Sequence, residues 1–247
     1  MDLPDIPGDL TSDRTAVWVS AGLFLNRIDA RTNKVTNSIE MCAGDVESGF
    51  RSIWVTSRAG CDIPEGAEGH GGLQPLNLLR VDPARNRVAA TIGLPEGAYG
   101  LAVSEDSVWV GGDALLRIDP KTNGVRARIN VKSTAIAVGA RSLWVLPSRD
   151  EVLRVDPESG RVSARIEGLA NASHLAFGEG FVWVSGSATG IPNFLWQIDP
   201  ATNRVVSATP LGTPDYPGGG GGVATGFGSV WVCATAPNEL WRIPVTR

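Results

Sequence analysis

Six tryptophans stand in matching contexts: Trp18, Trp54, Trp109, Trp144, Trp183 and Trp231. Nine residues ahead of them come Asp9, Asp45, Gly100, Ala135, His174 and Gly222, and one residue earlier Gly8, Gly44, Tyr99, Thr134, Ser173 and Gly221. If the contexts are equivalent, carboxylates, an imidazole, a phenol and hydroxyls share one level of the fold. Glycine and alanine at the remaining positions would leave room for a ligand. Asp9 and Asp45 are then candidate ligands of a divalent cation, and oxygen donors suit Mg²⁺ or Ca²⁺ better than Zn²⁺. His174 with Tyr99 is the candidate for acid–base catalysis. Ser173 and Thr134 are candidate ligand-binding hydroxyls. The plainer reading is that strands lining a wet opening tolerate polar groups. His70, in GAEGHGG with Glu65 and Glu68 nearby, is a further candidate contact. No metal-binding spacing surrounds it, so a solvated loop histidine is the plainer expectation there. The glycines at 218–222 lack the Lys and Ser/Thr of a phosphate loop, and neither G-x-S-x-G nor H-E-x-x-H occurs.

The elements that must position these residues are legible in the stretch 98–131, AYGLAVSEDSVWVGGDALLRIDPKTNGVRARINV. It holds four short apolar runs, Gly100 to Val103, Val108 to Gly111, Leu115 to Ile118 and Val125 to Ile129. Runs that short, rich in Val and Ile and bounded by turn residues, predict strands. In the last run Val125, Ala127 and Ile129 alternate with arginines, which predicts a strand with one wet face. The tryptophans recur at intervals of 36, 55, 35, 39 and 48 residues. LNRIDARTN, LLRVDPARN, LLRIDPKTN, VLRVDPESG and LWQIDPATN recur with them. Asp binds its own backbone, Pro presets φ and Asn tolerates the left-handed region, so this is a hairpin signal. Four strands per repeat of this length predict an all-β fold, a β-propeller of six four-stranded blades, with residues 1–247 as a single domain. Thin sheets cover their apolar faces by stacking, and the tryptophans are the bulky wedges between them; Trp196 and Trp241 read likewise as core. The sixth repeat stops one strand short, so the N-terminal segment 2–6, with Pro4 inside it, is expected to close the last blade. Seven blades would need an irregular blade within 57–76.

The composition bounds the rest. With 22 Lys and Arg against 26 Asp and Glu, the net charge is −4 and no block of like charge occurs, which argues against a nucleic-acid partner. No run of 18 apolar residues occurs, so no membrane-spanning helix is expected. MDLPDIPGDL lacks the basic and apolar regions of a signal peptide. Cys42 and Cys61 fall at the same end of the second repeat, so a Cys42–Cys61 disulfide is feasible and would favour an extracytoplasmic setting. Cys233 reads as a buried thiol. A monomer is expected.

Function belongs to the departures from the repeat. Three long connections, 57–75, 185–193 and 211–222, are expected at one end, the end that also carries the starts of the first strands. The pattern G-x-G/D-S-V-W-V with LLRIDPxTNxVxAxI resembles the YVTN-type propeller repeats and the related virginiamycin B lyase-like propellers, over Leu10 to Pro244. The resemblance implies a propeller that binds ligands or acts as a scaffold, with a small molecule, peptide, protein or glycan on the loop-rich face. For the lyase itself it implies opening of an ester-linked streptogramin ring by elimination, with a histidine base and Mg²⁺ held by glutamates near the central channel. The repeats here read WV with IDP, where those of the lyase more often read WFT with IGRI, and no residue is carried over to its catalytic positions. Two expectations follow: a binding or scaffold propeller, or a metal-assisted lyase or hydrolase using His174, Tyr99, Asp9 and Asp45.

Overall fold

The computed structural model describes residues 7–32, 34–58, 76–95, 97–186, 193–211, 220–226, 228–234 and 239–245. All regular structure among them is β. Strands β1 (Pro7–Ser12), β2 (Val17–Ala21), β3 (Phe24–Asp29) and β4 (Lys34–Glu40) form the first sheet in sequence order. The second holds β5 (Ala43–Gly49), β6 (Ser52–Arg58), β7 (Leu76–Asp82) and β8 (Arg87–Gly93). The third holds β9 (Tyr99–Val103), β10 (Val108–Gly111), β11 (Leu115–Ile118) and β12 (Val125–Ile129). The fourth has β13 (Ala135–Gly139), β14 (Ser142–Leu146), β15 (Glu151–Val155) and β16 (Val162–Glu167). The fifth has β17 (Ala172–Gly178), β18 (Phe181–Gly186), β19 (Asn193–Asp199) and β20 (Arg204–Leu211). The sixth has three described strands, β21 (Gly220–Gly226), β22 (Ser229–Ala234) and β23 (Glu239–Pro244). These are the six meanders expected. Segment 2–6, expected to close the last, and 59–75, where a seventh would have to lie, are outside the described residues.

Close packing divides the chain into two units, Met1–Val110 with Leu116–Arg128, and Gly111–Leu115 with Ile129–Arg247. In the first, Trp18 and Leu25 of the first sheet pack with Val46, Ile53, Val55 and Val81 of the second. Trp54 and Leu78 of the second pack with Leu101, Val108 and Ile118 of the third. In the second unit, Trp144 and Val152 pack with Val182, Val184 and Ile198, and Trp183 with Val230 and Val232. Trp18, Trp54, Trp144 and Trp183 are thus wedges between consecutive sheets. Trp196 is buried and Trp241 half-buried in these clusters, also as expected. The outermost strands differ from expectation. Val125, like Val35, Val88, Val162 and Val205 at matching positions, is more than a third exposed, because no neighbouring sheet covers either face of an outer strand there.

A lattice of polar contacts repeats with the wedge. The Trp54, Trp144, Trp183 and Trp231 indole N–H groups donate to the carbonyls of Gly49, Gly139, Gly178 and Gly226 at 3.1–3.2 Å. Opposite the wedge, Arg80, Arg117, Arg154 and Arg242 place their guanidinium over Trp54, Trp109, Trp144 and Trp231. Their Nε donates to Ser52, Ser107, Ser142 and Ser229, two residues before each tryptophan. Arg80 reaches on to the Pro120 carbonyl and Asn123 Oδ1 of the next sheet's hairpin, and Arg154 to those of Pro200 and Asn203. The hairpins hold the expected chemistry. Asp119 Oδ1 accepts from the Lys121 and Thr122 N–H groups, and Asn86, Asn123 and Asn203 sit at φ 49°, 60° and 57°.

The first sheet breaks the pattern. Ala16 occupies the serine position, and the buried Nε of Arg27 and Oδ1 of Asn86 have no hydrogen-bond partner. Ala16→Ser is expected to stabilise the protein by about 1 kcal/mol, the usual net worth of one added hydrogen bond. Chemical denaturation with an unchanged m-value checks it.

Candidate functional site: the starts of the first strands

The first strands of the first three sheets lie in one unit, and two aspartates tie them together. Asp9 in β1 is half-buried; its Oδ2 accepts from the Val46 N–H of β5 at 2.7 Å. Asp45 in β5 repeats this one sheet on, accepting from the Gly100 N–H of β9 at 3.0 Å. Both sit at irregularities, between Pro7 and Leu10 and between Ala43 and Val46, where the ladder to the second strand slips. A bulge frees backbone groups from the ladder. Here the freed N–H groups of Asp9 and Asp45 donate to Ser20 Oγ and Thr56 Oγ1, both at 2.8 Å. The carboxylates are re-aimed towards the next sheet.

Glu47 follows Asp45 by two residues on β5, within reach of the charges of both Asp45 and Asp9. Crowding by protein on most sides costs a carboxylate its hydration. Burial first, then the charges of Asp9 and Asp45, push Glu47 up to about 8. Burial likewise raises Asp9 to about 6, partly offset by the Val46 N–H and reinforced by Asp45, and it raises Asp45. At neutral pH Glu47 is therefore largely protonated and able to donate. The sequence reading missed it. The available signal was the i, i+2 spacing of two acids on a first strand.

In the second unit His174 lies in β17, also at a slip in register, between Ala172 and His174. Its Nδ1 is 2.8 Å from Ser173 Oγ, which donates to the Ser185 carbonyl at 3.2 Å. A hydroxyl has one proton. When that proton is donated to the Ser185 carbonyl, the imidazole carries its own on Nδ1 and Nε2 is the basic atom. Burial, then the charge of Arg149, lowers the proton affinity, so the ring is neutral at pH 7. Thr134 Oγ1 and backbone N–H both donate to the Leu146 carbonyl, at 3.1 and 2.7 Å. Thr134 and Ser173 are thus equivalent, each closing the end of its own sheet.

Asp9 and Asp45 belong to one unit and His174, Ser173 and Thr134 to the other. Tyr99 is in β9 with its side chain outside the described residues; His70, Cys61 and most of the long connections (59–75, 187–192, 212–219) are outside them too. Cys42 is disulfide-bonded. Asp9 and Asp45 each spend an oxygen on a backbone N–H, and among the described residues no group of three or more His, Cys, Asp or Glu side chains could hold a metal ion. No described helix is long and apolar enough to cross a membrane.

Six consecutive meanders, each with a tryptophan on its second strand, define a β-propeller. Solved structures agree. The chain is similar to virginiamycin B lyase from Staphylococcus aureus, at 14% identity and a TM-score of 0.63 over 98% of this chain and 85% of that one. It is similar to BamB from Moraxella catarrhalis, at 10% identity and a TM-score of 0.62 over 97% and 86%. Hydrazine synthase of Kuenenia stuttgartiensis also matches, at 17% identity and a TM-score of 0.72 over 97% and 76%. No protein-family model and no curated protein matches the sequence. The fold is that of a virginiamycin B lyase-like propeller.

Proposed function

We propose that this chain is a binding or scaffold propeller, a single domain that presents the starts of its first strands and the connections 57–75, 185–193 and 211–222 to a small-molecule, peptide or glycan ligand. The observation that supports it is how the polar groups there are spent. Asp9, Asp45, Thr134 and Ser173 all hold backbone groups in place. That leaves Glu47, a half-buried carboxyl that is mostly neutral at pH 7, as a hydrogen-bonding contact on a rigid rim. The test is a peptide and glycan array probed with the wild-type chain and with Glu47→Lys. Capture of a defined ligand class, weakened at least tenfold by the substitution, is expected. Equal capture by both would remove Glu47 from the site, and no capture would overturn the reading.

A second reading is favoured by His174. A neutral imidazole with Nδ1 anchored and Nε2 basic is what abstraction of a proton in an elimination needs. It makes the chain a lyase or hydrolase with His174 as base. Turnover of cyclic ester substrates that is lost in His174→Ala, with an unchanged melting temperature, supports it. No turnover by the wild type, with or without Mg²⁺ or Ca²⁺, removes it.

The half-cystine at Cys42 takes Cys61 as its proposed partner. A non-reducing peptide map should show the two segments linked. A Cys42–Cys233 link would refute the pairing.

A further inference from the structure

Five of the six repeat tryptophans carry an arginine of their own chain, at ring-centroid distances of 5.0–5.9 Å. In each case it is the residue paired with the tryptophan across the second and third strands, as Arg154 is with Trp144. Trp183 is the exception. Its cross-strand partner is Gln197, and Phe181 replaces the serine that would anchor the guanidinium Nε. Phe181 turns its ring edge-on to Trp183 at 6.0 Å.

A cavity of about 170 Å³ lies where the missing side chain would be, lined by Trp183, Gln197, Ser207, Thr209, Ile243 and Val245 among others. The far wall is informative. Aligning LLRIDP of the third sheet with LWRIPV of the sixth puts Val245 at the position of Pro120. Pro120 and Pro200 are the residues whose carbonyls accept from Arg80 and Arg154. The cavity thus keeps an indole face on one side, a carbonyl-bearing turn position on another, and the hydroxyls of Ser207 and Thr209 along its outer edge. Among the described residues, the lining has no charged side chain to repel a cation.

The geometry points to a receptor for a guanidinium group, that of an arginine side chain supplied from outside this chain, in the cavity between Trp183 and Val245. A planar cation stacks on an indole face and directs its N–H fork at carbonyl and hydroxyl oxygens, which a lysine ammonium cannot reproduce. The chain does this for itself with Arg80 and Arg154. The site is independent of the first-strand rim.

The test is a titration of ¹⁵N-labelled protein with the blocked tripeptide Ac-Gly-Arg-Gly-NH₂, following the Trp183 indole N–H resonance assigned through Trp183→Phe. A saturable shift is expected, at least tenfold weaker for the lysine and citrulline peptides. Free L-arginine forms a second arm: equal affinity identifies the free amino acid as sufficient, and weaker affinity identifies peptide-borne arginine. Gln197→Arg, which supplies the missing side chain from within, should abolish the shift, and so should Thr209→Trp, which blocks the cavity from an exposed outer strand. No shift with the arginine peptide, an equal shift with citrulline, or an undiminished shift in a folded Thr209→Trp protein would overturn the proposal. Binding that appears only in Arg247→Ala would also overturn it, by giving the cavity to the chain's own arginine.

Discussion

Trp144→Ala will lower stability by about 3–5 kcal/mol, the range for truncating a fully buried aromatic side chain. Three losses combine. The side chain is wholly inaccessible and packs sheet four on sheet five with Val182, Val184 and Ile198. Its N–H satisfies the Gly139 carbonyl. Its ring carries the Arg154 guanidinium at 5.0 Å, and that arginine fastens the hairpin of the next sheet. Urea denaturation of wild type, Trp144→Ala and Arg154→Ala with the double variant measures it. The two single losses should exceed the double in sum, because they remove one network. Additive losses would show that the stacked pair and the clamp act separately.

Glu47→Gln will change how stability depends on pH. Glu47 binds its proton up to about 8 in the folded protein, against 4.5 for the free side chain. Between those values the native state holds a proton that the unfolded chain has released, so stability falls as pH rises. Glutamine keeps the shape and never ionises. The variant should therefore match wild type near pH 4 and exceed it at pH 9. The full shift would be worth more, but the side chain is only half-buried, so the gain is about 1–3 kcal/mol after allowance for screening by solvent. Melting temperatures across that range check it. A constant difference between the two proteins at every pH would contradict the assignment. Asp9, at about 6, adds a slope of the same sign to both proteins.

The repeat made most of the fold legible. The four runs of 98–131 recur as β9 to β12, differing by one residue at Tyr99. The Asp-Pro-x-Thr-Asn hairpins hold because their chemistry is local. What could not be read depends on neighbours distant in sequence. Alternation suggested one wet face for β12, but whether a face is covered is decided by the adjacent sheet, and Val125 is 54% exposed. Nine-residue counting found Asp9 and Asp45. It could not show that each is turned by a bulge onto the backbone of the next sheet, nor that Glu47 gains its proton from the company of both. His174 was found by the same counting, while its tautomer needed Ser173 and Ser185 in place.

The missing arginine in the fifth sheet has a mechanical meaning as well. Where Arg80 and Arg154 rivet one sheet to the next, neighbouring sheets must part together; where Gln197 stands, that rivet is lacking. In an array held by nearest-neighbour contacts, separation begins at the weakest seam. The boundary between β19 and β23 can therefore part without first breaking a guanidinium–carbonyl clamp of the kind that Arg80 and Arg154 make.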